Sequence, residues 1–137
     1  MNTTALSPMT TDASLVRLTH ITYGLHAVGL ALGVFGSSTI VGAFLGLPSL
    51  VALIINYVKR SDVRGTWLES HFTWQIRTFW WVLLWAVLII GVSAPLVLLL
   101  GLGLVTGFVG IALLGLWAIY RIARGWLRLS SREEAPR

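Results

Sequence analysis

Few side chains in this sequence are equipped for chemistry, and most of those share one depth. His20 and Tyr23 stand early in the first apolar segment, Asn56 ends the second, and His71, Trp74, Gln75, Arg77 and Trp81 open the third. Histidines from two different helices can ligate a haem iron axially. His20 and His71 are the pair placed for that, with Trp and Phe nearby as lining. The same residues also form a polar and aromatic layer without any iron, satisfied by water, lipid phosphate and one another, or left open as a docking groove. His26 is separate: six residues past His20 is about 9 Å further along a helix and on another face. A neutral ring bonded to a backbone carbonyl or hydroxyl accounts for it.

Other chemistries lack their parts. Asp62 and Glu69 both lie in one hydrophilic loop, so no pair of carboxylates stands in or beside an apolar segment. There is no HExxH, no GxSxG and no phosphate-binding glycine loop ahead of a lysine. No cysteine is present, which removes disulfides, thiolate metal sites and Cys nucleophiles. The expectation is a protein that is not an enzyme, with no catalytic residue, no metal and no cofactor.

The elements that position these residues follow from composition. Only 11% of the 137 residues are charged, 56% are hydrophobic, and mean hydropathy is +0.83. Soluble domains carry about 25% charged residues, so the shortfall points to lipid as solvent. Crossing an apolar core about 30 Å thick takes roughly 20 helical residues. Four segments qualify, over residues 15–36, 39–58, 72–100 and 103–120. Residues 78–120 hold no charge. As one helix they would run about 65 Å, so the chain must reverse between Ser93 and Gly103. The glycines at 101 and 103 suit the reversal better than Pro95, which a membrane helix tolerates as a kink. Pro48 is expected to kink the second span.

Charge then orients the spans. Lys59, Arg60 and Arg64 lie in the loop, and Arg121, Arg124, Arg128, Arg132 and Arg137 in the tail. Four spans put the amino terminus, this loop and the tail on one side, which the positive-inside rule makes cytoplasmic. Residues 1–14 read as a disordered polar tail with no cleavable signal. Residues 15–128 read as an all-α, four-helix transmembrane domain, N-in and C-in. Residues 121–137 read as a basic amphipathic helical extension, with Arg121, Arg124 and Arg128 against anionic lipid. The net charge of +5 is therefore assigned to membrane orientation, with no nucleic-acid partner.

Helix packing is expected from small residues. Gly29 with Gly33, Gly42 with Gly46, and Gly103 with Gly107 each have the spacing that lets backbones approach. They suit packing within the four helices or a self-association face. At 100° per residue Trp74, Arg77, Trp81 and Trp85 form one stripe of the third span, flanked by His71, Gln75 and Thr78. Phe72, Ile76, Phe79 and Leu83 take the opposite side. Arg77 is expected to snorkel to headgroups or to stack on Trp74 or Trp81.

At "LTHITYGLHAVGL", "LPSLVALIINYVKR", "SHFTWQIRTFWW" and "IYRIARGW" the chain resembles a group of small proteobacterial inner-membrane proteins. These in turn resemble the bacterial domain-of-unknown-function relatives of the chloroplast inner-envelope import (Tic) channel subunit. The resemblance covers about residues 16–126. A family His early in the first span matches His20, and a Pro in the second span followed by basic residues matches Pro48 and Lys59-Arg60. A His opening the next helix with a downstream Gln matches His71 and Gln75. The wider family has further Asn and Gln residues where this chain has Arg77, Phe79 and Trp80.

The reading is a multi-pass protein of the bacterial inner membrane, both termini cytoplasmic. It is a subunit or scaffold that takes a membrane-protein partner or a second copy, accessory to transport or translocation. An oligomeric small-solute transporter or channel, and a haem-binding electron carrier, are the alternatives.

Overall fold

The structure, a computed structural model, describes residues 12–35, 46–99 and 101–136. Four helices hold most of them: α1 (Ala13–Phe35), α2 (Leu47–Val58), α3 (Leu68–Leu98) and α4 (Leu102–Ser130). No strand occurs among the described residues. The helices stand in a ring in chain order, with α1 against α2 and α4, and α3 against α4 and α2.

Each boundary has a local cause. Pro48 lies in the first turn of α2, where its missing N–H is an orphan in any case, so it starts this helix and does not kink it. Gly65 takes φ +75°, and its N–H donates to the Glu69 carboxylate in the first turn of α3. That carboxylate also lies where the helix dipole favours negative charge. Between α3 and α4 the chain reverses at Gly101, in a left-handed conformation, while Pro95 stays inside α3. In the α2–α3 loop Lys59 stands 2.9 Å from Asp62, and its hydrogen bond holds that carboxyl below its usual range.

Two helices, α3 with 31 residues and α4 with 29, are long and apolar enough to cross a membrane. Four spans do not follow from the described residues. The 12 residues of α2 reach about 18 Å, and residues 39–45 of the expected second span lie outside the described residues. Arg17, His20, Tyr23 and His26 dilute the apolar character of α1. Of the expected helical extension over 121–137, residues 121–130 continue α4 without a break, while residues 131–136 fold back toward the start of α3.

The α3–α4 pair is an antiparallel zipper of small residues. A Cβ on Gly103 would collide with the Ser93 carbonyl and the Val97 backbone, one on Gly107 would press on Ser93, and one on Gly110 on Ile89. Gly29 admits Ser49 of α2 in the same way, whereas a Cβ on Gly33 meets nothing within 4 Å. Gly46 caps α2, and Gly42 lies outside the described residues. Gly29, Gly103 and Gly107 therefore pack helices of one chain against each other.

Among the described residues the main cluster of buried apolar side chains sits at one end. Tyr23, Val63, Leu68, Phe72, Trp74 and Leu129 are buried together there, with Leu15 and Val16 of α1 against them. The amino-terminal turns of α1, the α2–α3 loop and the end of α4 thus meet at the same end. Gly103→Ala must push backbone apart, an overpacking cost of about 1–3 kcal/mol. Gly91→Ala, with nothing within 4 Å of its Cβ, is expected to leave thermal unfolding in detergent unchanged. Equal melting temperatures for the two variants would contradict the zipper.

Candidate functional site

Beneath the apolar end lies a polar layer whose members bond mainly to one another. His71 is completely buried in the second turn of α3. Its Nε2 lies 2.7 Å from the Glu133 carbonyl, which can only accept, so Nε2 carries a proton. In the neutral ring Nδ1 is then the acceptor, and the Tyr23 hydroxyl donates to it at 3.0 Å. One ring thereby ties α1, α3 and the folded-back tail together. Ser70 adds a second tie, its Oγ accepting the Ala135 N–H at 2.9 Å. Trp67 closes over the His71 ring edge to face, with centroids 5.5 Å apart.

A second clasp joins α3 to α4. The Arg121 guanidinium lies 3.7 Å over the Trp74 ring, and Nε donates to Thr78 Oγ1 at 3.0 Å. The Trp74 indole N–H returns a bond to the Arg121 carbonyl at 3.2 Å. Thr78 can accept because its own hydroxyl proton goes to the Trp74 carbonyl. Gly125 makes room, since a Cβ there would lie 2.5 Å from the Tyr23 hydroxyl and 2.8 Å from the Trp74 indole nitrogen. At the next residue, Trp126 stacks on Tyr23 and donates to His20 Nδ1 at 2.9 Å. Beside the clasps Asn56 donates to Gln75 at 2.9 Å, with the amides oriented so that Gln75 accepts.

Of the residues the sequence pointed to, His20, Tyr23, Asn56, His71, Trp74 and Gln75 turn into this layer. Arg77 and Trp81 do not; both are exposed on the outer side of α3. The stripe of Trp74, Arg77, Trp81 and Trp85 therefore divides. Trp74 is buried while Trp81 and Trp85 face outward, and Phe72 and Ile76, expected on the opposite side, are buried. The physical reason is that the inner face follows the polar residues: His71, Gln75 and Thr78 recur at helical spacing and find partners only inside. Arg121, expected against lipid with Arg124 and Arg128, stacks on Trp74 in place of Arg77. Arg124 bonds Tyr120 on the outside, and Arg128 pairs loosely with Glu133 at 3.9 Å.

Sequence reasoning passed over Arg121 as an inward residue, and with it Trp126 and the Glu133 carbonyl. The one local signal for the first two is Gly125, a small residue between large ones on the last turns of α4.

Haem does not suit these histidines. Both ring nitrogens of His71 are engaged, and His20 Nδ1 accepts from Trp126. Among the described residues no three His, Asp or Glu side chains gather as a metal site. No protein-family model, curated protein or solved structure matches the chain.

Among the described residues, four buried polar atoms in and beside the layer have no hydrogen-bond partner: His26 Nε2, Asn56 Oδ1, Gln75 Nε2 and Arg121 Nη2. The Tyr23–His71 bond is testable separately from them. Tyr23→Phe leaves a buried Nδ1 unpaired, at a cost of about 1–3 kcal/mol. A double-mutant cycle with His71→Phe is expected to give a coupling of at least about 0.5 kcal/mol in detergent unfolding. Strictly additive losses would mean that the two side chains do not interact.

Proposed function

We propose that the chain is a non-enzymatic, multi-pass subunit of the bacterial inner membrane, built as a scaffold around the polar layer. In this reading all four helical segments belong to the membrane domain, with both termini and the Lys59–Arg64 loop cytoplasmic. Its exterior supports this. Most of the described Leu, Ile, Val and Trp side chains along α3 and α4 from Trp80 to Tyr120 are exposed, while Thr19, Thr22, Asn56, His71, Gln75 and Thr78 are buried. An apolar skin over a polar interior is the reverse of what water selects, and so large an apolar surface marks contact with lipid or protein. The basic residues of the loop and of the last turns of α4 lie at the end where α1 begins, which the positive-inside rule makes cytoplasmic. The resemblance noted from the sequence gives the same placement.

The observation that carries the scaffold reading is the division of α3 between two faces. Its inner polar residues bond within the layer, while Arg77 stands exposed on the side of Trp80, Trp81 and Trp85. A cation flanked by tryptophans at the edge of an apolar surface suits an acidic or aromatic group on a neighbouring membrane protein, and such residues anchor protein contacts. Accessory service to transport or translocation is the role this surface suits. The oligomeric channel reading has less support, because Gly29, Gly103 and Gly107 are used inside one chain.

A photocrosslinking residue placed at position 81 or 85 in cells is expected to yield one discrete heavier band. The same residue at position 71 should yield none, since His71 is enclosed. Crosslinks to lipid alone from positions 81 and 85 would overturn the docking face. Arg77→Ala should lose the band yet keep a cytoplasmic carboxyl-terminal reporter, because the loop and tail cations still set orientation. A periplasmic reporter in that variant would contradict the assigned topology.

A further inference from the structure

The turn that ends α4 is made from residues ill suited to it. Two reversing bonds close the helix, the Arg132 N–H to the Leu129 carbonyl at 3.0 Å and the Glu133 N–H to the Arg128 carbonyl at 2.9 Å. That closure puts one residue in the left-handed conformation, a place glycine usually fills. Here it is Arg132, at φ +56°. Its Cβ crowds the following carbonyl, a cost that an ordinary helical φ would remove. The apolar contact that often accompanies the closure is replaced by Arg128 and Glu133, 3.9 Å apart. Arg132, Glu133, Glu134 and Ala135 are moreover good helix formers held in non-helical backbone. Local preference and the observed turn disagree here.

The seat that holds this segment is shaped for backbone. It takes the Glu133 carbonyl at His71 Nε2 and the Ala135 N–H at Ser70 Oγ, and Ala135 is buried in the cluster with Val63, Leu68 and Phe72. Glu133 and Glu134 are exposed. An empty seat is costly, because His71 is completely buried and its ring N–H would lose its acceptor. The segment therefore leaves by exchange for a like one and not simply into water. The matching occupant is the same segment of a second copy, which brings the identical carbonyl, N–H and methyl. Residues 131–135 extend to at most about 18 Å. That is enough to pass one helix about 10 Å across and reach the seat of a neighbour lying against α4.

We infer that two copies of this chain exchange residues 131–136, so that each supplies the Glu133 carbonyl to the other's His71. Opening straightens the turn at Arg132 and releases its left-handed backbone, while every bond of the seat is made again between copies. Short hinges under strain invite such exchange. The inference does not rest on the docking face around Arg77.

The chain has no cysteine, so introduced thiols are unambiguous. Two differently tagged copies of the full chain are co-expressed, one with Ser70→Cys and one with Ala135→Cys, and isolated membranes are oxidised. A disulfide-linked dimer carrying both tags is expected. Both substitutions placed on one copy show whether the pair can bridge. A closed monomer from that copy, with no mixed-tag dimer from the single variants, would overturn the exchange. Arg132→Gly in both copies is at ease in the turn and poor in its straightened form. It should lower the mixed dimer about fivefold or more, and an unchanged yield would also overturn the inference. Light scattering on the cysteine-free chain in mild detergent keeps the test independent of these thiols. A wild-type dimer that shifts to monomer with Arg132→Gly is expected, whereas a wild-type monomer would refute the exchange. Capture of a different protein by Ser70→Cys, in place of a second copy, would do the same.

Discussion

The hydrogen-bond chain from Tyr23 through His71 to the Glu133 carbonyl sets the constraint under which the rest of this end is arranged. His71 has one donor and one acceptor in its neutral form, and each goes to a different part of the chain. For the ring to stay buried, α1 must present Tyr23 and the tail must fold back. Val63, Leu68 and Ala135 can then cover the site from water. The apolar core at this end is thus a lid over a polar joint, and each depends on the other. Removing the lid would hydrate the joint, and removing the joint would leave the lid resting on unpaired donors.

The Trp74–Arg121 clasp solves a related problem by a different route. A guanidinium inside a helical bundle needs its charge spread and its N–H groups met. A flat indole face meets the first need, and Thr78 with the returning indole N–H meets part of the second. Lysine in this place would lose the planar stack, so the clasp is specific to arginine. Gly125 is the silent member, because any side chain there would separate Tyr23 from Trp74.

Much of this could be read before the fold was known, and the failures have physical causes. His20, Tyr23, Asn56, His71 and Gln75 were identifiable as one layer because polar residues in an apolar chain are costly unless grouped, and depth follows from counting residues. The reversal near Gly101 was legible because a chargeless stretch of 43 residues outruns one crossing and glycine adopts positive φ freely. The faces of α3 were not. Trp74, Arg77, Trp81 and Trp85 fit helical spacing as well as the true inner face does, and only the partners of His71, Gln75 and Thr78 decide between them. Arg121 was hidden for a similar reason: its spacing with Arg124 and Arg128 reads as a surface row, and the ring that draws it inward comes from 47 residues earlier. Pro48 was expected to kink the second span, but apolar composition does not specify where a helix begins, and Pro48 lies in the first turn of this one.

The bonds that close the layer join residues far apart along the chain: 48 positions from Tyr23 to His71, 47 from Trp74 to Arg121 and 106 from His20 to Trp126. Helices form from neighbouring residues, whereas contacts of such separation must wait until intervening segments are in place. Closure of this end therefore draws on every part of the chain at once, whereas each helix draws only on its own neighbours. A change at Trp126 or Gly125 touches that closure and none of the bonds within the helices.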